Sequence, residues 1–277
     1  MDRTAQQELA ERFRRLHDGP KILVVGSVWD AGSAVIFARA GFPAIATSSA
    51  GMAFSLGYAD GERIPRDQLL AAIAHVVRAV PVPVTADIES GYGRDAEAVV
   101  DTCRHVLQTG AVGINLEDAD GDTSLADVRQ HAATIRAVRA MADAFGVALV
   151  INARTDVFML PHGDATAAFA DAVSRLKQYR AAGADCLFAP GVTDRDTIGR
   201  LVRAVDAPLN ILAGTPSTPP VAELAALGVR RVSQGSGPAR AAMATTRRIA
   251  AALHAHGTYD AYTTDTISYA EANALFR

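Results

Sequence analysis

Asp87 and Glu89 close a short apolar run, Val82-Pro83-Val84-Thr85-Ala86-Asp87-Ile88-Glu89, which ends in the turn Gly91-Tyr92-Gly93. Alternate residues of a strand share a face, so Thr85, Asp87 and Glu89 point one way and Val84, Ala86 and Ile88 the other. Two carboxylates at the end of one strand repel each other unless a positive group lies between them. A metal ion is the simplest such group. Taken alone, the stretch is also compatible with two solvated loop acids. The same spacing recurs in Asn115 with Glu117 and in Asn152 with Arg154, each pair two residues apart at the end of an apolar run.

The elements around these runs say how they are positioned. An amphipathic helix is predicted over residues 4–17, with Leu9, Phe13 and Leu16 on one side. Short apolar strands are predicted at 22–25, 44–47, 82–89, 113–116, 148–153, 186–188, 209–212 and 230–233. Helices are predicted between them at 32–40, 66–80, 95–109, 125–145, 164–182, 194–205 and 218–227. A long loop at 52–65 follows the second strand, and further helices close the chain at about 238–256 and 259–276. Strands alternating with helices require parallel βαβ units. Eight of them in 277 residues predict an α/β fold of the (β/α)8 TIM-barrel type. The competing doubly wound sheet lacks a GxGxxG after its first strand. No linker or shift in composition divides the chain, so 1–277 is expected to be one domain, with 1–19 an N-terminal helix and 238–277 C-terminal helices.

In such a barrel the active site is built from the C-terminal strand ends. Those ends carry Trp29-Asp30, Ser48-Ser49, Asp87 and Glu89, Asn115 and Glu117, Asn152 and Arg154, Asn210 and Gln234. Three carboxylates, one arginine and several amides are therefore expected to converge. Carboxylates without His or Cys select a hard cation, Mg2+ or Mn2+, over zinc. None of the seven histidines stands at a strand end. His162 follows the fifth strand and can reach the site, whereas His75, His105 and His131 read as surface helix residues. Arg154 is the natural clamp for a substrate carboxylate, because its planar fork matches carboxylate geometry. A metal can hold a second carboxylate or a 2-oxo or 2-hydroxy oxygen and, as a Lewis acid, stabilise an enolate. The Ser48-Ser49 turn offers backbone N–H donors. The substrate class is then a small di-acid or 2-oxo acid.

Composition removes other classes. A net charge of −3 with no basic run argues against nucleic acid. The N-terminal segment carries charge throughout and reads as neither signal peptide nor membrane span, so a cytoplasmic protein is expected. Cys103 and Cys186 lack CxxC spacing and suit a reducing compartment. The only lysines are Lys21, which opens the first strand, and Lys177, which is mid-helix, so a Schiff-base aldolase fails on position. Gly235-Ser236-Gly237 before a helix is a weak phosphate-site signal.

At these residues the chain resembles the isocitrate lyase/phosphoenolpyruvate mutase superfamily. The matching pieces are Trp29-Asp30-Ala31-Gly32-Ser33-Ala34, the run 40–49, the run 56–62, Asp87-Ile88-Glu89-Ser90-Gly91-Tyr92-Gly93, Asn115-Leu116-Glu117-Asp118 and Asn152-Ala153-Arg154-Thr155-Asp156. They stand in the family's order over roughly residues 20–240. The resemblance implies a barrel whose C-terminal helices are exchanged between subunits of a homotetramer, a dimer of dimers. It implies Mg2+ bound directly by Asp87, with Glu89, Glu117 and Asp60 holding its waters. Arg154 would grip a substrate carboxylate, Ser48 and Ser49 its oxyanion end, and Asp60 would lie close to the reacting bond. Asn115 and Asn210 complete the expected substrate contacts.

One departure matters. The isocitrate and methylisocitrate lyases of the superfamily carry a Lys-Lys/Arg-Cys-Gly-His gating loop after the strand that ends at the Glu117 position. Here that segment is Asp118-Ala119-Asp120-Gly121-Asp122-Thr123-Ser124-Leu125, without Cys, Lys or His. The reading that results is a Mg2+-dependent enzyme acting on a C–C bond beside a 2-oxo or 2-hydroxy carboxylate through a metal-stabilised enolate. Asp60, or a water held by Glu89 and Glu117, would be the base, and Tyr58 or His162 a proton donor. The alternatives are P–C chemistry, as in phosphoenolpyruvate mutase or phosphonopyruvate hydrolase, and a non-catalytic metabolite-binding barrel.

Overall fold

A computed structural model describes residues 2–161 and 163–277. Its main sheet is a parallel barrel. The first barrel strand is broken at Val25 into β1 (Leu23–Val24) and β2 (Gly26–Val28). The others are β3 (Ile45–Thr47), β4 (Val84–Asp87), β5 (Gly113–Glu117), β8 (Val150–Arg154), β9 (Cys186–Phe188), β10 (Leu209–Leu212) and β11 (Arg231–Ser233). β1 pairs with β11 and β2 with β3, so the break at Val25 is where the circle closes. The neighbour order is β1-β11-β10-β9-β8-β5-β4-β3-β2, the eight-stranded barrel expected. Outward residues such as Ile114, Leu116, Ile151 and Ala153 are fully buried under the surrounding helices.

Those helices start where the sequence supplies a cap. Asp95, Asp127, Asp164 and Asp194 each accept first-turn N–H groups of α5 (Ala96–Thr109), α6 (Val128–Phe145), α7 (Ala165–Ala181) and α8 (Arg195–Val205). The remaining wall helices are α2 (Ala31–Arg39), α4 (Arg66–Ala79) and α9 (Val221–Ala226). α1 (Arg3–Asp18) seals the barrel floor. Its Phe13 reaches so far in that a Cβ on Gly113 would stand 2.8 Å from the ring, and Gln6 Nε2 donates to the carbonyls of Leu107 and Ala111.

Three stretches differ from expectation. The loop at 52–65 begins inside a helix, α3 (Ser49–Ser55), because Ser48 Oγ caps it by accepting the Gly51 N–H at 3.2 Å. The acidic segment after β5 is a hairpin of β6 (Ala119–Asp120) and β7 (Ser124–Leu125), so α6 starts three residues later than predicted. The last helix is split into α11 (Asp260–Thr263) and α12 (Tyr269–Ala274); Ser268 and Glu271 form a capping box that starts α12 afresh. α10 (Gly237–His256) buries only Ala239, and α12 returns to α2, where Arg39 Nη2 donates to the Ala274 carbonyl at 2.9 Å. Among the described residues, no helix is long and apolar enough to cross a membrane.

Candidate active site

The register sets the site. Asp87 lies beside Asn115, Asn115 beside Asn152, and Glu117 beside Arg154 on three adjacent parallel strands. Asn152 Nδ2 donates to Asn115 Oδ1 at 2.6 Å. Asp87 Oδ2 accepts both the backbone N–H of Ser49 at 3.0 Å and its Oγ–H at 2.8 Å. Asp87 Oδ1 is buried and has no hydrogen-bond partner among the described residues.

Around it stand more acids than cations. Arg154 Nη1 pairs with Glu117 at 2.7 Å, and its Nε and Nη2 fork onto Asp156 at 2.5 and 2.8 Å. Both oxygens of Glu89 are engaged, Oε2 by the Glu62 N–H at 2.6 Å and Oε1 by the Tyr92 hydroxyl at 3.2 Å. Tyr92 N–H closes the ring on Glu62 Oε1 at 2.8 Å. All three residues of this ring are held at positive φ, between 52° and 55°, a costly backbone for side chains of this kind.

The titration behaviour follows from this crowding. Burial, and then the charges of Asp87 and Asp60, push Glu89 up to about 7. Burial likewise lifts Glu117 well above the usual range, with Asp156, Asp87 and Glu89 adding to it and Arg154 opposing. Asp60, in the exposed loop before α4, is raised by burial of its carboxyl and by Asp87. The site is a pool of excess negative charge around one half-satisfied aspartate.

A family model described as phosphoenolpyruvate phosphomutase matches residues 13–254. The chain belongs to the phosphoenolpyruvate phosphomutase family. An oxaloacetate decarboxylase of Pseudomonas fluorescens is 30% identical over 256 residues, which cover 89% of this chain and 85% of that protein. A solved structure from Burkholderia cenocepacia J2315 is 39% identical, covering 99% of this chain and 97% of its own, with a TM-score of 0.92. A 2,3-dimethylmalate lyase, described as a member of the phosphoenolpyruvate mutase/isocitrate lyase superfamily, is 26% identical, with coverage of 96% and 94% and a TM-score of 0.85. The superfamily thus holds both lyases and mutases, and its members share this barrel.

Within that family frame, the structure brings Asp87, Glu89, Glu117, Asn115 and Arg154 together, and Asp60 is near enough to act on Asp87, Arg154 and Asp156 through its charge. Other expected roles change. The Ser48 and Ser49 N–H groups are spent on the Val28 carbonyl and on Asp87, so the turn orients the aspartate and does not present those donors to a substrate. Asn210 is fully buried and donates to Ser233 Oγ at 3.0 Å, below the mouth. Tyr58 hydroxyl donates to Gln68, away from the acids. His162 lies outside the described residues. His131, expected at the surface, is 7% exposed with its ring edge-on to Tyr179.

Asp156, Glu62 and Tyr92 were missed as partners. The spacing of Asp156 two residues after Arg154 was a usable signal; the pairing of Glu62 with residues 27 and 30 positions later was not. Beside Glu117 a cavity of about 750 Å3 opens between the starts of α5 and α6, lined also by Glu62, Ser90, Asp120 and His131. The hairpin above it is tied down by Ser90 Oγ donating to the Ala119 carbonyl at 2.8 Å and by an exposed Arg63–Asp122 pair at 3.7 Å.

Among the described residues no three His, Cys, Asp or Glu side chains form a ready cage for a metal ion. The donor set does fit a hydrated one. Mg2+ keeps several waters and takes one or two carboxylates directly, and Asp87 Oδ1 is a buried carboxylate oxygen without a partner, flanked by further acids.

Proposed function

We propose that the chain is a divalent-metal-dependent enzyme that cleaves, or in reverse forms, a C–C bond beside the carboxylate of a small 2-oxo or 2-hydroxy acid. The observation that carries this reading is the buried Asp87 Oδ1, unpartnered among the described residues, within a group of carboxylates whose mutual repulsion a bound cation would relieve. Asp87 would hold the ion, Mg2+ or Mn2+, with Glu89 and Glu117 facing its waters. When bound, the ion supplies Lewis-acid stabilisation of negative charge on a substrate oxygen.

The chain's own groups then have separate tasks. Arg154 spends the N–H of Nε and one N–H of Nη2 on Asp156 and pairs Nη1 with Glu117, and the remaining N–H groups of the two Nη atoms would receive a substrate carboxylate. Its partners fix the plane of that fork, so the carboxylate is bound in one orientation. Asn152 holds Asn115 in place for a neighbouring substrate oxygen. Asp60, exposed and raised by its surroundings, is the base or proton carrier closest to solvent.

P–C chemistry is the second reading, because the family model is that of a phosphomutase. Against it, a phosphonate dianion needs cationic contacts besides the one that Arg154 would give the substrate carboxylate, and the groups described around Asp87 are otherwise acids, amides and hydroxyls. The chain is further proposed to form a homotetramer that exchanges residues 238–277, since Met243, Leu253, Tyr259, Ile267, Tyr269 and Phe276 leave apolar area exposed there.

The test is release of pyruvate or another 2-oxo acid with and without Mg2+. The panel is oxaloacetate, 2-methylisocitrate, 2,3-dimethylmalate and phosphonopyruvate, with Asp87→Ala as control. Turnover of a carbon acid that is lost in the variant supports the main reading, and turnover of phosphonopyruvate alone favours the second. No turnover, together with no calorimetric Mg2+ binding, sinks both.

A further inference from the structure

Arg231 is the largest fully buried side chain among the described residues, and it lies inside the barrel below the candidate site. It precedes Ser233 by two residues on β11, so both face the barrel interior, and it stands in register between Leu23 and Asn210. Its Nε, Nη1 and Nη2 all lack a hydrogen-bond partner among the described residues. Its guanidinium carbon lies 5.6 Å from the centroid of the Phe13 ring of α1. A guanidinium remains charged in a protein, and a buried charge without hydrogen bonds is among the costliest features a core can contain.

The same interior holds unpaired atoms of the opposite kind. Asn210 Oδ1, Asn152 Oδ1 and Thr85 Oγ1 are buried without partners, and so is Asp87 Oδ1 above them. On the floor His17 accepts nothing at Nε2, while its Nδ1 faces the Phe13 carbonyl at 2.9 Å. Stranded donors on one strand and stranded acceptors on three others point to a shared set of bridging molecules. Water accepts from the guanidinium and donates to the amide and carboxylate oxygens. A small anion would satisfy only the guanidinium and would face those oxygens.

We propose that the barrel core encloses a cluster of ordered waters joining Arg231 to the unpaired oxygens of β4, β8 and β10, and that Arg231 acts through it as the fixed counter-charge of Asp87. Arg231 is then a positioning residue: it touches no substrate, and it offsets from below the negative charge crowded into the mouth. Burial disfavours the charged guanidinium, and a negative charge on Cys186 or Asp87 would favour it. The Cys186 thiol is pushed up to about 12 by burial, so it offers no thiolate, and Asp87 is the acid whose charge reaches Arg231. This inference does not depend on which bond the enzyme breaks or on metal binding.

Two experiments decide it. In a crystal structure at about 1.8 Å, ordered waters are expected on Nε, Nη1 and Nη2 of Arg231. Direct bonds from the guanidinium to protein oxygens, or a halide peak on it in a bromide-soaked crystal, would overturn the water cluster. The second is a double-mutant cycle on metal-free protein at pH 8, read by urea midpoint and melting temperature. Arg231→Met is expected to lower the melting temperature by about 5 °C or more. Adding Asp87→Asn should return at least half of that loss, and Arg231→Lys should stay close to wild type. Additive effects of the two changes, or equal losses in the Met and Lys variants, would overturn the counter-charge role. The crystallographic result needs no variant, so poor folding of Arg231→Met leaves the inference testable.

Discussion

Asp87 and Asp118 are both buried aspartates at the ends of neighbouring strands, 9% and 0% exposed, and the protein treats them in opposite ways. Asp118 is saturated. Its oxygens accept from Thr155 Oγ1 at 2.8 Å, the Asp156 N–H at 2.9 Å, Tyr179 hydroxyl at 2.6 Å and Arg175 Nη1 at 3.2 Å. Arg175 in turn binds Asp171 and the Ala126 carbonyl, so the region ties β5 to α7 and to the start of α6. Asp87 keeps one oxygen unpaired, stands among Glu89, Glu117 and Asp60, and adjoins a backbone ring at positive φ. A buried acid that is fully paired contributes to the fold. One left half-paired in a crowd of like charge costs stability, and a cation is the natural compensation.

The sharpest way to break the comparison is to remove each acid in turn. Asp118→Ala leaves the buried Thr155 and Tyr179 hydroxyls without their acceptor and takes one of its two carboxylates from Arg175, and should cost about 3–5 kcal/mol in urea unfolding. Asp87→Ala relieves the crowding of like charge but removes the counter-charge of Arg231, so metal-free stability should change little, and metal-dependent turnover should fall by roughly 10^2- to 10^3-fold. If Asp87→Ala proves the more destabilising of the two, the contrast is wrong.

The next effect concerns pH. Because the folded protein raises Glu89 from 4.5 to about 7, the folded state holds a proton that the unfolded chain has released across that window. The stabilising share is therefore complete below about pH 4.5 and is lost as pH rises to about 7. Without divalent ions, Glu89→Gln should overtake wild type across this window, by roughly 2 kcal/mol at pH 8. A constant difference between the two proteins from pH 4.5 to 8 would show that the mouth is less crowded than described.

The smallest effect sharpens the boundary of the site. Arg63→Ala breaks the exposed pair with Asp122, with side chains 61% and 79% exposed, and should change stability by no more than about 0.5 kcal/mol. Turnover measured at saturating substrate should hardly change. A large fall would make the hairpin part of the catalytic apparatus.

Much of this arrangement was legible because it depends on short-range order. The two-residue alternation in Thr85-Ala86-Asp87 and in Asn152-Ala153-Arg154 separates polar inward residues from apolar outward ones, and the closed barrel keeps that division. The predicted helices at 95, 164 and 194 begin on the Asp caps of α5, α7 and α8, whereas the cap of α6, Asp127, lies inside the helix predicted from 125. The hairpin at 119–125 escaped because two-residue strands have no periodicity to detect. The split of the last helix escaped because Ser268 and Glu271 reset a helix inside a pattern that reads as continuous.

By itself, then, the sequence determined the barrel and the set of acids, amides and arginine at its C-terminal end, because backbone alternation aims each side chain before any distant partner is known. Only the tertiary structure decided which of those groups are already spent. Asp118 is paired by residues 37 to 61 positions away, Ser49 is bound to Asp87 38 positions later, and Arg154 is bracketed by Glu117 and Asp156. Arg231 keeps all three guanidinium nitrogens without a hydrogen-bond partner among the described residues. Hydrogen bonds and unpaired charge depend on which strands become neighbours, and that is fixed only when the barrel closes.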